Sequence, residues 1–225
     1  MFCAHLTLLL HWFVFIVCST GDGGKWVCNP HRLISTAEER QETTGKKCLI
    51  YSIGSNGNFM FEEGMANLLG KGVCEIHVFD FTDFSHKVPD SIRDMVHFHA
   101  WGLKTSGEKV EERVAPRQQT QIFRTLNETI ELLGHKGQII DIFKIDCEGC
   151  EWDTFHDWVN ADVDIRQILV EVHNVPPAAQ DLFLSMQNAG YVTFHKEPNI
   201  EFAGGQCIEY CFLKLENAFF LEHQS

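Results

Sequence analysis

Cys48-Leu49-Ile50-Tyr51-Ser52-Ile53-Gly54-Ser55-Asn56-Gly57-Asn58 is the stretch on which the reading of this chain turns. A compact apolar run that stops at a glycine is how a strand covered on both faces of a parallel sheet is written. The glycine-rich turn leads into Phe59–Leu69, where Phe59, Phe61, Met65, Leu68 and Leu69 recur near helical spacing until Gly70 and Gly72 end the run. Outward from this unit the alternation repeats. Strands are expected at Glu75–Phe81, Val96–Trp101, Ile139–Ile145 and Gln167–His173, and helices at Gln121–Leu133, Trp152–Val159 and Pro177–Ala189. Two final strands, Tyr191–His195 and Ile208–Leu215, have only a loop between them. Strand–helix alternation implies right-handed crossovers and a mostly parallel sheet, whereas two strands joined by a loop pair antiparallel. The expectation is an α/β domain over residues 48–217, with a seven-stranded, mostly parallel sheet closed by a terminal antiparallel hairpin.

The rest of the chain frames that domain. With 225 residues, 44% of them hydrophobic, there is apolar side chain enough for one packed core. Residues 1–20 carry an apolar stretch, Leu6–Val17, too short to span a bilayer and followed by Cys18, Ser19 and Thr20. It reads first as a signal peptide and second as a membrane anchor, with a buried first helix or a misplaced start codon behind these. The expected location is therefore the secretory pathway, with membrane attachment only through an uncleaved leader. Residues 21–47 read as a polar extension with a short helix near Thr36–Gln41, and residues 218–225 as a tail. The formal charge of -13 disfavours a nucleic-acid partner, because such a surface repels phosphate.

Three places could do chemistry. The turn Gly54-Ser55-Asn56-Gly57 opens a helix, where unpaired N–H groups and a closely approaching backbone suit a ligand. Asp80, at the end of the next strand, is placed to accept hydrogen bonds from the ribose hydroxyls of a nucleoside. Lys144-Ile145-Asp146-Cys147-Glu148-Gly149-Cys150-Glu151-Trp152 then brings Asp146 and Glu148 out where the fourth strand meets the crevice. Carboxylates there can orient a hydroxyl, take its proton or hold a divalent ion. No metal site is expected. Cys147 and Cys150 have no second pair at zinc spacing, and His31, His77, His97 and His99 match no ligand pattern, the last two alternating with core residues. Among the cysteines, Cys28 with Cys48 is the first pairing to test, since both precede the core. Asn127-Glu128-Thr129 is a sequon inside an expected helix, and so reads as chance.

The nine residues from Lys144 to Trp152 resemble the KIDVEGAE-type motif of FkbM-type methyltransferases, and more closely the KID-EG-EW signature of animal methyltransferase-like proteins. Tyr51–Gly57 is similar to their cofactor loop, and Glu171-Val172-His173 to the Glu-x-His ending their fifth strand. The resemblance covers Cys48 to Leu215 and implies a Rossmann-like class I methyltransferase fold with S-adenosyl-L-methionine as donor, most plausibly methylating oxygen. It places Gly54, Ser55, Asn56 and Gly57 along the cofactor, Asp80 on the ribose, and Asp146 beside the sulfonium. Glu148, Glu171 and His173 would then face the substrate, with His173 or Asp146 as base, or a divalent ion between Asp146 and Glu171. Ser52 stands where FkbM-type loops carry the acid that helps hold the cofactor's ammonium, which implies weaker binding, substitution by Glu62 or Glu63, or a lost activity. The acceptor implied is a small molecule or sugar hydroxyl, with a protein side chain next. Two other functions compete: a catalytically silent methyltransferase fold used as a binding module, and an NAD-dependent oxidoreductase. The latter expects Gly-x-Gly-x-x-Gly, and this turn offers only Gly-x-x-Gly.

Overall fold

The computed structural model describes residues 14–16, 25–106, 113–114, 120–174, 176, 179–200 and 207–216. The tail at 218–225 lies outside these, as does the leader at 1–20 except for Val14–Ile16, which pair antiparallel with Trp26–Cys28. None of the described helices is long and apolar enough to cross a membrane.

Seven strands form the central sheet: β1 (Cys48–Ile53), β2 (Cys74–Phe79), β3 (Val96–His99), β4 (Ile139–Ile145), β5 (Asp164–His173), β6 (Tyr191–Asn199) and β7 (Cys207–Lys214). Their spatial order is β3-β2-β1-β4-β5-β7-β6. The first five run parallel, and β7 is antiparallel to both β5 and β6. This is the expected Rossmann-like α/β sheet with its antiparallel end pair. The chain works outward from β1 to β3 and then returns to β4, so the strand order reverses between β1 and β4. At such a switch point the loops leaving the carboxyl ends diverge and open a crevice.

Side chains alternate across each strand, which divides the core into two layers. Ile50, Ile76, Ile142 and Leu169 pack with Leu33 of helix α1 (Pro30–Thr44) and with Phe61 and Met65 of α2 (Met60–Leu69). Tyr51, Phe79, Phe143 and Val170 pack with Ile130 of α3 (Leu126–Leu132), Phe155 and Trp158 of α4 (Glu151–Val159) and Leu182 of α5 (Ala179–Asn188). Helix α3 starts later than the apolar pattern predicts. Thr125 and Glu128 form a reciprocal capping box that fixes its first turn, while Thr120–Gln121 and Phe123–Arg124 stay extended. Within the sequon, Asn127 is exposed on this helix and Thr129 is buried, accepting a hydrogen bond from Trp101 Nε1 at 3.2 Å.

Of the segment expected as a polar extension, residues 25–47 pack onto the domain. Asn29 caps α1 through Oδ1 on the Arg32 amide (3.1 Å), with Pro30 at the first helical position. The helix runs 15 residues, well past the short one expected, from the Asn29 cap to Gly45 in the left-handed conformation, and an ion pair adds to its few apolar contacts. Arg40 Nη2 donates to Asp141 Oδ2 at 2.7 Å, and the same oxygen accepts from the Leu49 amide at 3.1 Å. Burial pushes the Asp141 carboxyl up, while Arg40 pulls it down. Arg40→Ala would strand a buried carboxylate, and a loss of about 3 kcal/mol is expected in urea unfolding at neutral pH. A loss below about 0.5 kcal/mol would show that α1 is held by its apolar contacts alone.

The disulfides correct one expectation. Cys48 joins Cys74, not Cys28, because β1 and β2 are parallel neighbours whose first residues are register partners, with Cα atoms 4.3 Å apart. Cys28 lies across β4 on the β5 side, its backbone amide and carbonyl both bonded to the Gln167 side chain at 2.9 Å. Cys147 and Cys150 form a second disulfide; Cys28, Cys207 and Cys211 are free thiols among the described residues.

Candidate active site

A cleft of about 710 Å3 lies over the carboxyl ends of β1, β2, β4 and β5, at the switch point. Gly54, Ser55, Asn56, Asp80, Asp146, Glu148, Glu171 and His173 all line it. Gly57 does not: it turns the loop behind, where a side chain would strike Lys87 at 2.9 Å and Phe84 at 3.0 Å.

The glycine loop is fixed by backbone crossings. Gly54 has φ +76, and a Cβ built on it would lie 1.7 Å from the Asp146 carbonyl oxygen. Lys144 Nζ donates to the carbonyls of Gly54 (2.6 Å) and Ile53 (3.2 Å), tying the end of β1 to β4. Asp80 is buried and accepts from the amides of Asn56 (2.8 Å) and Thr82 (2.9 Å), one on each oxygen. Its remaining lone pairs are available to a ligand in the cleft. Behind Ser52, Glu62 is buried on α2, where burial raises its carboxyl pKa and Lys144 and Ser52 act against the rise. Among the described residues Glu62 Oε2 has no hydrogen-bond partner. Glu63 points elsewhere, accepting from Ser91 Oγ at 2.7 Å.

The acidic motif builds the opposite wall. Glu151, fully buried at the start of α4, accepts from the His173 amide (2.6 Å) and the Gly149 amide (2.9 Å). It also pairs with His173 Nδ1 at 3.0 Å. Trp152 Nε1 donates to the His173 carbonyl at 2.7 Å. His173 is thus held from behind, and its Nε2 faces Asp146 (3.7 Å) and Glu148 (3.6 Å). The hydrogen bond that His173 donates to Glu151 is the main reason the His173 pKa rises to about 9, against the cost of burial. Burial works to raise the Asp146 pKa, but Lys144, Lys25 and His173 outweigh it and hold the carboxyl below its usual value. Glu148 has φ +57, a left-handed backbone that its side chain does not favour, and its carboxylate stands almost free in the cleft mouth.

Lys25 is the unforeseen member. It is buried, bonded to Glu209 and 3.7 Å from Glu171, whose other oxygen accepts from Asn199 Nδ2 at 3.0 Å. Glu171 and Glu209 are register partners on β5 and β7, so the sheet itself places two carboxylates side by side. Lys25 supplies the charge between them. Those carboxylates and Asp146 keep Lys25 protonated despite its burial, whereas burial pushes Glu209 up to about 8.

A sequence-family model described as "Methyltransferase domain" matches residues 11–214. The chain belongs to that family. No curated protein matches the methyltransferase in sequence. Among solved structures, it is similar to a fibrillarin pre-rRNA processing protein of Methanococcus jannaschii at 6% identity and a TM-score of 0.48, over 75% of this chain and 66% of that one, just under two thirds. It is also similar to Aeropyrum pernix fibrillarin in complex with natively bound S-adenosyl-L-methionine, at 12% identity and TM-score 0.45, over 85% and 80% of the two chains. A third is Burkholderia thailandensis 1,6-didemethyltoxoflavin-N1-methyltransferase with bound 1,6-didemethyltoxoflavin and S-adenosylhomocysteine, at 11% identity and TM-score 0.44, over 83% and 79%.

In the methyltransferase cleft, Asp146, Glu148 and His173 bring ligand atoms within 4.8 Å of one another, as do Glu171, His173 and Cys207. Either set has the donors for a divalent ion. The sequence points to Asp80, Asp146, Glu148, Glu171 and His173 here. It does not point to Lys25, Glu209, Glu151 as the support of His173, Lys144 as a loop anchor, or Asn199. Glu151 and Lys144 were readable in the nine-residue motif, but no sequence signal marks Lys25, whose partner lies 184 residues away.

Proposed function

We propose that this methyltransferase uses S-adenosyl-L-methionine as donor and a hydroxyl of a small molecule or sugar as acceptor. The observation that carries the reading is His173, clamped from behind by Glu151 with Nε2 turned to the cleft between Asp146 and Glu148. A hydroxyl must lose its proton as it attacks, and a positioned imidazole backed by a carboxylate is suited to take it.

The residues present fit the cofactor. The cleft volume is in the range of small-molecule sites, and Asp80 offers a buried carboxylate with acceptor capacity left over. Asp80 would hold the ribose hydroxyls, Gly54, Ser55 and Asn56 the main-chain side, and Asp146 the cationic part. When bound, the cofactor supplies an electrophilic methyl group on a sulfonium. Glu148 and Glu171 would orient the acceptor, and the Lys25 ammonium, already surrounded by carboxylates, offsets the negative charge beneath them. The formal charge of -13 supports a small molecule or sugar over nucleic acid, with a protein side chain as the next acceptor. Two disulfides and the apolar leader support a secretory location, because disulfides persist in oxidising compartments. The FkbM likeness supports oxygen as the methylated atom.

Calorimetric titration with S-adenosyl-L-methionine and S-adenosylhomocysteine tests the donor. Micromolar binding is expected for the intact chain, weakened at least tenfold in Asp80→Ala, with circular dichroism showing that the variant is still folded. Absence of binding by the folded chain would reject the donor assignment, and would make a silent binding module the better account.

A further inference from the structure

A second group of chemistry-bearing side chains lies away from the cleft, on the sheet face that carries Tyr51 and Phe79. The parallel register puts Tyr51, His77 and His97 in one row across β1, β2 and the edge strand β3. His77 and His97 stack with ring centroids 4.9 Å apart. His99, one pleat further along β3, is hydrogen-bonded through its Nε2 to His77 Nδ1 at 3.0 Å. His135, beyond α3, stands edge-on to His77 at 4.8 Å, and its own Nδ1 lies 2.6 Å from the Tyr51 hydroxyl.

Four imidazoles in contact make a poor apolar layer, and the hydrogen bonds among them leave one atom over. His77 Nε2 has no hydrogen-bond partner among the described residues, and the side chain is only 7% exposed. An orphaned buried ring nitrogen costs free energy unless something takes its lone pair. It points toward Glu75, whose Oε2 is 4.0 Å away, beyond hydrogen-bond reach. Glu75, His77 and His97 each bring one ligand atom within 4.8 Å of the others.

We propose that Glu75, His77 and His97 bind a divalent first-row transition ion of the zinc class, at a site separate from the methyl-transfer cleft. Two imidazoles and a carboxylate are donors that zinc accepts, with a fourth position left for water. In tetrahedral coordination the donor atoms sit roughly 3.3 Å apart, so the three must close by up to about 1.5 Å. Glu75 and His97 are the ligands able to move, being part-exposed and exposed. His77 is the fixed one, and the bond from its Nδ1 to His99 holds the ring with Nε2 as the ligand atom, the outer-shell support that metal-bound imidazoles have. Bound there, the ion would join the edge strand β3 to β2.

The test uses the full chain without an affinity tag, stripped with chelator and titrated with Co2+ as a spectroscopic probe and then with Zn2+. Expected is a visible d–d band for Co2+, displaced by Zn2+, and a rise in thermal midpoint. His97→Gln and Glu75→Gln, both at accessible positions, should weaken binding at least tenfold each, whereas His173→Gln should leave this band in place. An unchanged affinity in His97→Gln, loss of the band in His173→Gln, or no band in the intact chain would each overturn the proposal. The His173→Gln arm also separates this site from the acid and histidine groups of the cleft.

Discussion

Gly54→Ala is expected to be the most damaging alanine substitution among the described glycines, costing about 4 kcal/mol or more and abolishing cofactor binding. Its two causes add. An L-residue at φ +76 loses about 1–2 kcal/mol from its own backbone contacts. The added Cβ would also sit 1.7 Å from the Asp146 carbonyl oxygen, a backbone atom that no rotamer change moves aside. Relief requires the end of β1 to separate from the end of β4, which breaks the Lys144 bonds to Ile53 and Gly54 and displaces Asp146 itself. Gly134→Ala is the control: φ is +71 there and nothing lies within 4 Å of the new carbon, so only the conformational cost of about 1–2 kcal/mol remains. Urea unfolding of both variants measures the difference. Equal losses would mean that the loop tolerates the contact by shifting.

The second large effect concerns His173. His173→Gln should lower kcat by about 10²–10⁴-fold, the usual contribution of a positioned base. The pH profile carries the stronger test. With its pKa raised to about 9, His173 is mostly protonated at neutral pH, so the free base appears only as pH rises. If Nε2 takes the acceptor's proton, kcat/KM should climb with an apparent pKa near 9. Glu151→Gln removes the charge that raises it, and the inflection should fall toward the ordinary histidine value of about 6.5. Stability should move with the opposite sign. A raised histidine pKa stabilises the fold fully below about pH 6.5 and is lost as pH rises through 9. The intact chain should therefore lose stability between pH 7 and 10 where Glu151→Gln does not. A flat rate profile through pH 9 would transfer the base role to Asp146.

Much of this was legible from the chain alone. Apolar runs such as Cys48–Ile53 and Ile139–Ile145 can only be buried strands, and their alternation with helical spacing leaves few topologies open. Asp80 and Asp146 could be located because a parallel sheet brings its strand ends to one edge, so position in the repeat becomes position in space. Where a residue's meaning depends on register between distant strands, the sequence is silent. Cys48 meets Cys74 because β1 and β2 start level, and Glu171 faces Glu209 because β7 returns antiparallel at that offset. The row of Tyr51, His77 and His97 has the same origin, and no spacing along the chain announces it. Lys25 is the extreme case, a charge in a glycine-rich stretch given its role by carboxylates on β5 and β7. Local pattern thus determined which elements form and where their ends gather, because period and burial are properties of neighbouring residues. Tertiary structure decided which buried charges compensate one another, since that pairing depends on how far each strand slides past the next.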